Sequence, residues 1–125
     1  MQFYSKIVSF AGFLAVLART TSAGCTEVGS GTGVLNLNCK SYSAPTNIGQ
    51  TVSSDSNALS IEFTAQDTSI FQYQYTNNMN YDINFGIQYY NPGPNSDAWE
   101  TVIVTGGSAC IFNLPGHMEN FKLTC

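Results

Sequence analysis

His117 is the only histidine in the chain, so a Ser-His-Asp or Cys-His mechanism would have to run through it. It stands in Leu114-Pro115-Gly116-His117, turn-forming residues ahead of an alternating segment, and reads as a solvent-exposed turn histidine. No G-x-S-x-G is present to raise a serine nucleophile. Glycoside hydrolysis needs two carboxyl groups about 5–10 Å apart, and Asp97 with Glu100, or Asp55 with Glu62, are the pairs close enough in sequence to be considered. Acidic side chains in such polar stretches are ordinarily just solvated, and nothing in the pattern distinguishes an acid from a base. Asp55-Ser56-Asn57 offers oxygen ligands, but no loop supplies the six or so that calcium takes. Those residues read instead as a turn bonding its own backbone. General acid–base work at neutral pH has few candidates here. The expectation is therefore a protein that is not an enzyme, with no metal or other cofactor.

The thiols point to structure rather than chemistry. Cys25, Cys39, Cys110 and Cys125 form an even set with no C-x-x-C among them, and one histidine cannot complete a zinc site at these spacings. Two disulfides are expected, in any of three pairings.

The first residues account for the oxidising compartment that such bonds require. Met1–Lys6 carries one positive charge, Ile7–Leu17 (IVSFAGFLAVL) is an apolar run, and Thr21-Ser22-Ala23 sets small residues before Gly24. That is the pattern of a cleavable secretory leader, residues 1–23. The apolar run is well short of the roughly 20 residues that span a bilayer. Residues 24–125 then form one secreted, extracellular domain, expected to be a monomer free of the membrane. They keep all eight acidic residues but only Lys40 and Lys122 as cations, a net charge of −6. Nucleic-acid binding is not expected, because it needs clustered Lys and Arg to displace counterions.

The elements that must position any site are strands. Period-2 alternation of apolar and polar residues marks Val34–Lys40, Leu59–Ala65, Ile70–Thr76 and Tyr81–Tyr90. Trp99–Thr105, Ala109–Asn113 and Asn120–Thr124 complete the set. Turn residues separate them at Gly29–Gly33, Ser53–Asn57, Asn77–Asn80, Asn91–Asp97 and Gly106-Gly107. About seven short strands predict an all-β fold, a compact antiparallel β-sandwich or small barrel.

Asn77–Asn80 has the length of a hairpin loop, which would pair Ile70–Thr76 with Tyr81–Tyr90. Their shared polar face would then present Gln72, Gln74, Asn84, Gln88 and Tyr90, with Trp99 close by. Amides with aromatics suit a carbohydrate. Tyr and Trp also lead protein-interface hot spots, so this face is the candidate binding surface. The plain alternative is a solvated sheet face with Trp99 in the core.

The leader MQFYSKIVSFAGFLAVLARTTSA, the Gly-Cys start behind it and the final Cys resemble the small secreted cysteine-containing proteins of filamentous fungi, many of them candidate effectors. Within that group the chain is similar to MAX-type β-sandwich effectors, which have a cysteine near the mature start. It is longer than they are, chiefly across Asn57–Asp97. The tail Asn113–Leu123 (NLPGHMENFKL) resembles crystallin-like killer and antifungal toxins, although those are often basic. Small guanyl-specific fungal ribonucleases share the acidity and size. They need two histidines and an arginine that residues 24–125 lack. The resemblance implies an effector-type virulence protein acting on a host or competitor protein. The rival expectations are a carbohydrate- or cell-wall-binding module, with a polysaccharide as partner, and a crystallin-like antimicrobial toxin.

Overall fold

A computed structural model of the protein describes residues 25–30 and 39–123. The leader at residues 1–23, Cys125, and the strand expected at Val34–Lys40 (apart from its last two residues) lie outside the described residues. The described residues form nine strands: β1 Cys25–Ser30, β2 Ser41–Ser43, β3 Thr51–Ser53, β4 Leu59–Gln66, β5 Phe71–Asn77, β6 Ile83–Asn91, β7 Ser96–Val104, β8 Ala109–Leu114 and β9 Met118–Leu123. A 3-10 turn, Asp55–Asn57, precedes β4. The class is all-β as expected, but the strands number nine rather than about seven.

They build two antiparallel sheets, one of five strands in the order β1-β7-β6-β9-β2 and one of four in the order β3-β4-β5-β8. The expected hairpin between β5 and β6 does not exist. Both sides of β5 are taken by β4 and β8, while β6 lies between β7 and β9 in the other sheet. The link between β5 and β6 is therefore a crossing from one sheet to the other. Asn77 holds it there. Its buried amide nitrogen donates to the carbonyls of Tyr81 at 2.7 Å and Val104 at 3.0 Å. Its side-chain oxygen accepts the Met79 N–H at 2.8 Å. The bond to Val104 reaches β7 in the other sheet, while those to Met79 and Tyr81 shape the link itself, so the chain leaves the four-stranded sheet rather than turning back along it.

The inner faces meet in one core. Leu59, Ile61, Phe63, Tyr73, Tyr75, Phe112 and Leu114 come from the four-stranded sheet, and Phe85, Ile87, Val102, Val104, Met118 and Phe121 from the five-stranded one. Each fully buried side chain of this size contributes about 1.5–3 kcal/mol relative to exposure. Tyr75 meets Phe85 across the gap in a T-shaped pair with centroids 5.2 Å apart, the geometry that aromatic quadrupoles favour. The Cys25–Cys110 disulfide joins β1 to β8, and so one sheet to the other, with Cα atoms 5.5 Å apart. Cys39 is disulfide-bonded as well.

Tyr73 adds a polar tie between the sheets, because its phenolic oxygen accepts the Met118 N–H at 2.8 Å. Burial pushes this phenol up to about 12, against the opposing pull of the Met118 hydrogen bond. A raised phenol stabilises the fold below the ordinary tyrosine value, and that share is lost as pH climbs through the folded value. Tyr73→Phe will thus cost about 1–2 kcal/mol near neutrality by orphaning a buried N–H. The gap to wild type will narrow between about pH 10 and about pH 12 in urea titrations. A gap that stays constant into alkali would contradict the assignment.

Candidate functional site

Splitting β5 from β6 also splits the predicted binding surface. Gln72 and Gln74 belong to the outer face of the four-stranded sheet, whereas Asn84, Gln88, Tyr90 and Trp99 belong to the outer face of the five-stranded one. The two sets point away from each other. Gln72 is buried and accepts a hydrogen bond from the Thr64 hydroxyl at 3.0 Å, so it is a structural residue. Gln74 lines a shallow polar depression of about 280 Å³ with Ser60, Glu62, Thr76 and Asn78. Asn84 is exposed beside a second depression, near Tyr81, Asp82 and Leu123.

Gln88, Tyr90 and Trp99 do come together. Gln88 and Trp99 are register partners on β6 and β7, and Gln88 faces Asn120 on β9 from its other side. The Asn120 amide donates to the Gln88 carbonyl oxygen at 3.1 Å, which fixes which polar atoms each presents outward. Trp99 is half-buried and takes no part in the core. Alternation along β7 sends Ala98, Glu100, Val102 and Val104 inward and Asp97, Trp99, Thr101 and Ile103 outward. Across three strands the outer face thus carries a row of indole, amide and amide with no charge in it. Sequence reasoning misses Asn120, on the last strand, because nothing in its local pattern says which strand it faces.

One step along the same face lies a cluster that the sequence does not announce. Tyr90 and Asp97 are register partners. The link from β8 to β9 (Pro115, Gly116, His117) passes over Tyr90, whose N–H donates to the His117 carbonyl at 3.0 Å. His117 is exposed, as expected. It also stacks on Tyr90 at 5.9 Å, makes a T-shaped contact with Phe71 at 6.3 Å, and sets Nε2 3.7 Å from a Glu119 carboxylate oxygen. The Tyr90 hydroxyl donates to the Asn95 side-chain oxygen.

Glu119 reaches this cluster through a β-bulge. In β9, Asn120 pairs with Gln88 and Met118 with Tyr89, which leaves Glu119 as the extra residue. Simple alternation from the buried Phe121 would aim Glu119 into the core and Met118 out. The bulge reverses both, a common use of an inserted residue. Its carboxyl group lies above the usual carboxylate range, first through desolvation and then through the nearby Asp97 carboxyl group, while His117 pulls it down.

Neither candidate carboxylate pair forms a catalytic dyad. Glu100 is fully buried on the inner face of β7 while Asp97 is exposed on the outer one. Residues out of phase on a strand cannot converge. Asp55 instead pairs with Lys40 at 3.0 Å, while Glu62 lines the polar depression beside Gln74. Lys40 holds the Asp55 carboxyl below its ordinary value, chiefly by that hydrogen bond. No protein-family model matches this chain, nor does any curated protein or solved structure.

Proposed function

We propose that this is a secreted, non-enzymatic binding protein of effector type, acting through surface contact with a host or competitor protein. The observation that carries the reading is the uncharged row of Trp99, Gln88 and Asn120 across β7, β6 and β9, with Tyr90 at its end. A half-buried tryptophan on a rigid sheet gives a protein partner a large contact at low entropic cost, and such rings dominate interface energetics. The neighbouring amides keep the patch free of charge to desolvate. A monomeric β-sandwich spanning residues 24–125 is the matching architecture. Its second disulfide would join Cys39 to Cys125, the remaining cysteine, because the β2–β9 register pairs Ser41 with Lys122 and runs towards both.

The test is capture of partners by the secreted protein from host extract, run beside chitin and β-glucan. Trp99→Ala should weaken a specific capture at least tenfold, about 1.4 kcal/mol or more, with the fold unchanged by circular dichroism. Retention on a polysaccharide, lost in Trp99→Ala, would replace the protein partner with a carbohydrate. Undiminished capture by Trp99→Ala would move the interface elsewhere.

A further inference from the structure

Two depressions share a wall where the chain passes between the sheets. Ala58, just ahead of β4, lines one of about 290 Å³ with Tyr81, Asp82, Ile83, Asn84 and Leu123. Asn57, the residue before it, lines the polar depression of about 280 Å³ that holds Gln74 and Thr76. The wall between them is fixed from two sides. The Asn78 N–H donates to the Ala58 carbonyl and its side-chain amide to the Asn57 carbonyl, each at 2.9 Å. The Ser60 hydroxyl donates to the Asn57 side chain at 3.0 Å and ties the wall to β4.

Tyr81 lines the first depression and is 56% exposed, on backbone that has little room to move. Its carbonyl accepts the buried Asn77 amide at 2.7 Å. Gly106 packs so close that a Cβ there would lie 2.7 Å from the Tyr81 nitrogen. Asp82 accepts the Gly106 N–H at 3.0 Å through one carboxylate oxygen. A large ring held in water on clamped backbone loses little freedom when a ligand covers it.

The linings name the ligand's chemistry. The first sets the Tyr81 ring and the aliphatic carbons of Ala58, Ile83 and Leu123 beside a carboxylate and an amide. A sugar ring fits that mixture, with C–H on its faces and hydroxyls at its edge that both donate and accept. In the second, the Gln74 amide and Thr76 hydroxyl have no hydrogen-bond partner among the described residues. Neither lining contains a cation, and each carries a carboxylate, Asp82 in one and Glu62 in the other. Phosphate, sulfate or uronate groups would therefore be repelled. The volumes fall just under the roughly 300–1,000 Å³ usual for ligand sites, a scale that suits single rings. A peptide cannot join by strand addition here, because β4, β5 and β6 each have neighbours on both sides.

We propose that the two depressions together bind an uncharged oligosaccharide, one sugar ring packed on Tyr81 and the next reaching Gln74 and Thr76 across the Asn57–Ala58 wall. The site is separate from the Trp99 row. Asn84 lies four residues before Gln88 on β6, about 13 Å at the rise of a strand.

The test is isothermal titration calorimetry of the purified protein with tetrasaccharides of glucose, of N-acetylglucosamine and of galacturonate. At least one neutral tetrasaccharide should bind saturably at millimolar concentration, and the galacturonate should not. Tyr81→Ala should weaken that binding about tenfold or more, with an unchanged melting temperature. Ile48→Ala removes the other exposed large apolar side chain and should leave the affinity as it is. A second readout needs no variant. In nitrogen-15 NMR titrations of the wild type, amide shifts should move at Tyr81, Asp82 and Asn84 and at Gln74 and Thr76. Failure of both neutral tetrasaccharides to bind, equal binding of the galacturonate, full affinity in Tyr81→Ala, or shifts that avoid these residues would each overturn the site.

Discussion

Gly116→Ala will destabilise this protein more than the same change at Gly49, Gly93, Gly106 or Gly107. A Cβ at Gly116 would overlap the Tyr90 carbonyl oxygen and crowd its carbonyl carbon. The obstacle is backbone held in the β6–β7 ladder, not the far end of a pliant side chain. Tyr90 is held from one side by Asp97 on β7 and from the other by its N–H bond to the His117 carbonyl. Relief would need the β8–β9 link to lift off β6, which would break that bond. Overpacking against fixed backbone costs about 3 kcal/mol. For a domain of this size that lowers Tm by on the order of 15 °C. Gly93→Ala is the control, since its Cβ would meet only the Asn91 side chain at 3.5 Å, an ordinary contact. Differential scanning calorimetry on both variants decides the matter. A Gly116→Ala melting curve within a few degrees of the control would show that the link is free to move.

Removing the Cys25–Cys110 bond, by changing both residues to alanine, is the second large effect. The bond closes a separation of 85 residues and joins the two sheets. Cross-linking a loop of that length restricts the unfolded chain by about 4 kcal/mol on the chain-entropy account. Cys110 is also buried on β8, opposite Tyr75 in the ladder, so its replacement leaves a small void. β1 is then held mainly by its ladder to β7, which is interrupted between Glu27 and Gly29. Urea denaturation should show a loss of about 4 kcal/mol. Hydrogen exchange should quicken in β1 before the central strands. A loss below about 1 kcal/mol would mean that the unfolded chain is already constrained elsewhere.

Six of the nine strands are legible in the sequence because β4 to β9 are long enough to show their pattern several times over. Their edges shift by only a few residues. β2 and β3 are not legible. Ser41-Tyr42-Ser43 and Thr51-Val52-Ser53 each alternate once, too briefly to stand out from turn-rich surroundings. The β5–β6 pairing fails for a different reason. The loop length allows these sequence neighbours to pair, but β5 is claimed on both sides by strands whose registers are set at a distance. Trp99, Gln88 and Tyr90 nonetheless fall together, since they sit on one true hairpin, β6–β7. Glu119 has no such signal. A bulge is a relation between two strands, and no local pattern in Met118–Leu123 reports it. The exposure of His117 follows from its turn, while its ring partners, Tyr90 and Phe71, come from strands of different sheets.

The short β2 and β3 have a consequence for how copies of this protein behave at high concentration. A sheet grows by adding strands to its rims, where backbone donors and acceptors have no neighbour. Here β2 and β3 occupy one rim of each sheet and offer three residues apiece, too few to template a partner strand. The rim at β1 is kinked by its bulge. Among the described residues, β8 is the one rim strand that is both regular and six residues long. Among the described residues, strand addition is thereby favoured on the β8 side of the four-stranded sheet, away from the outer face that bears Trp99.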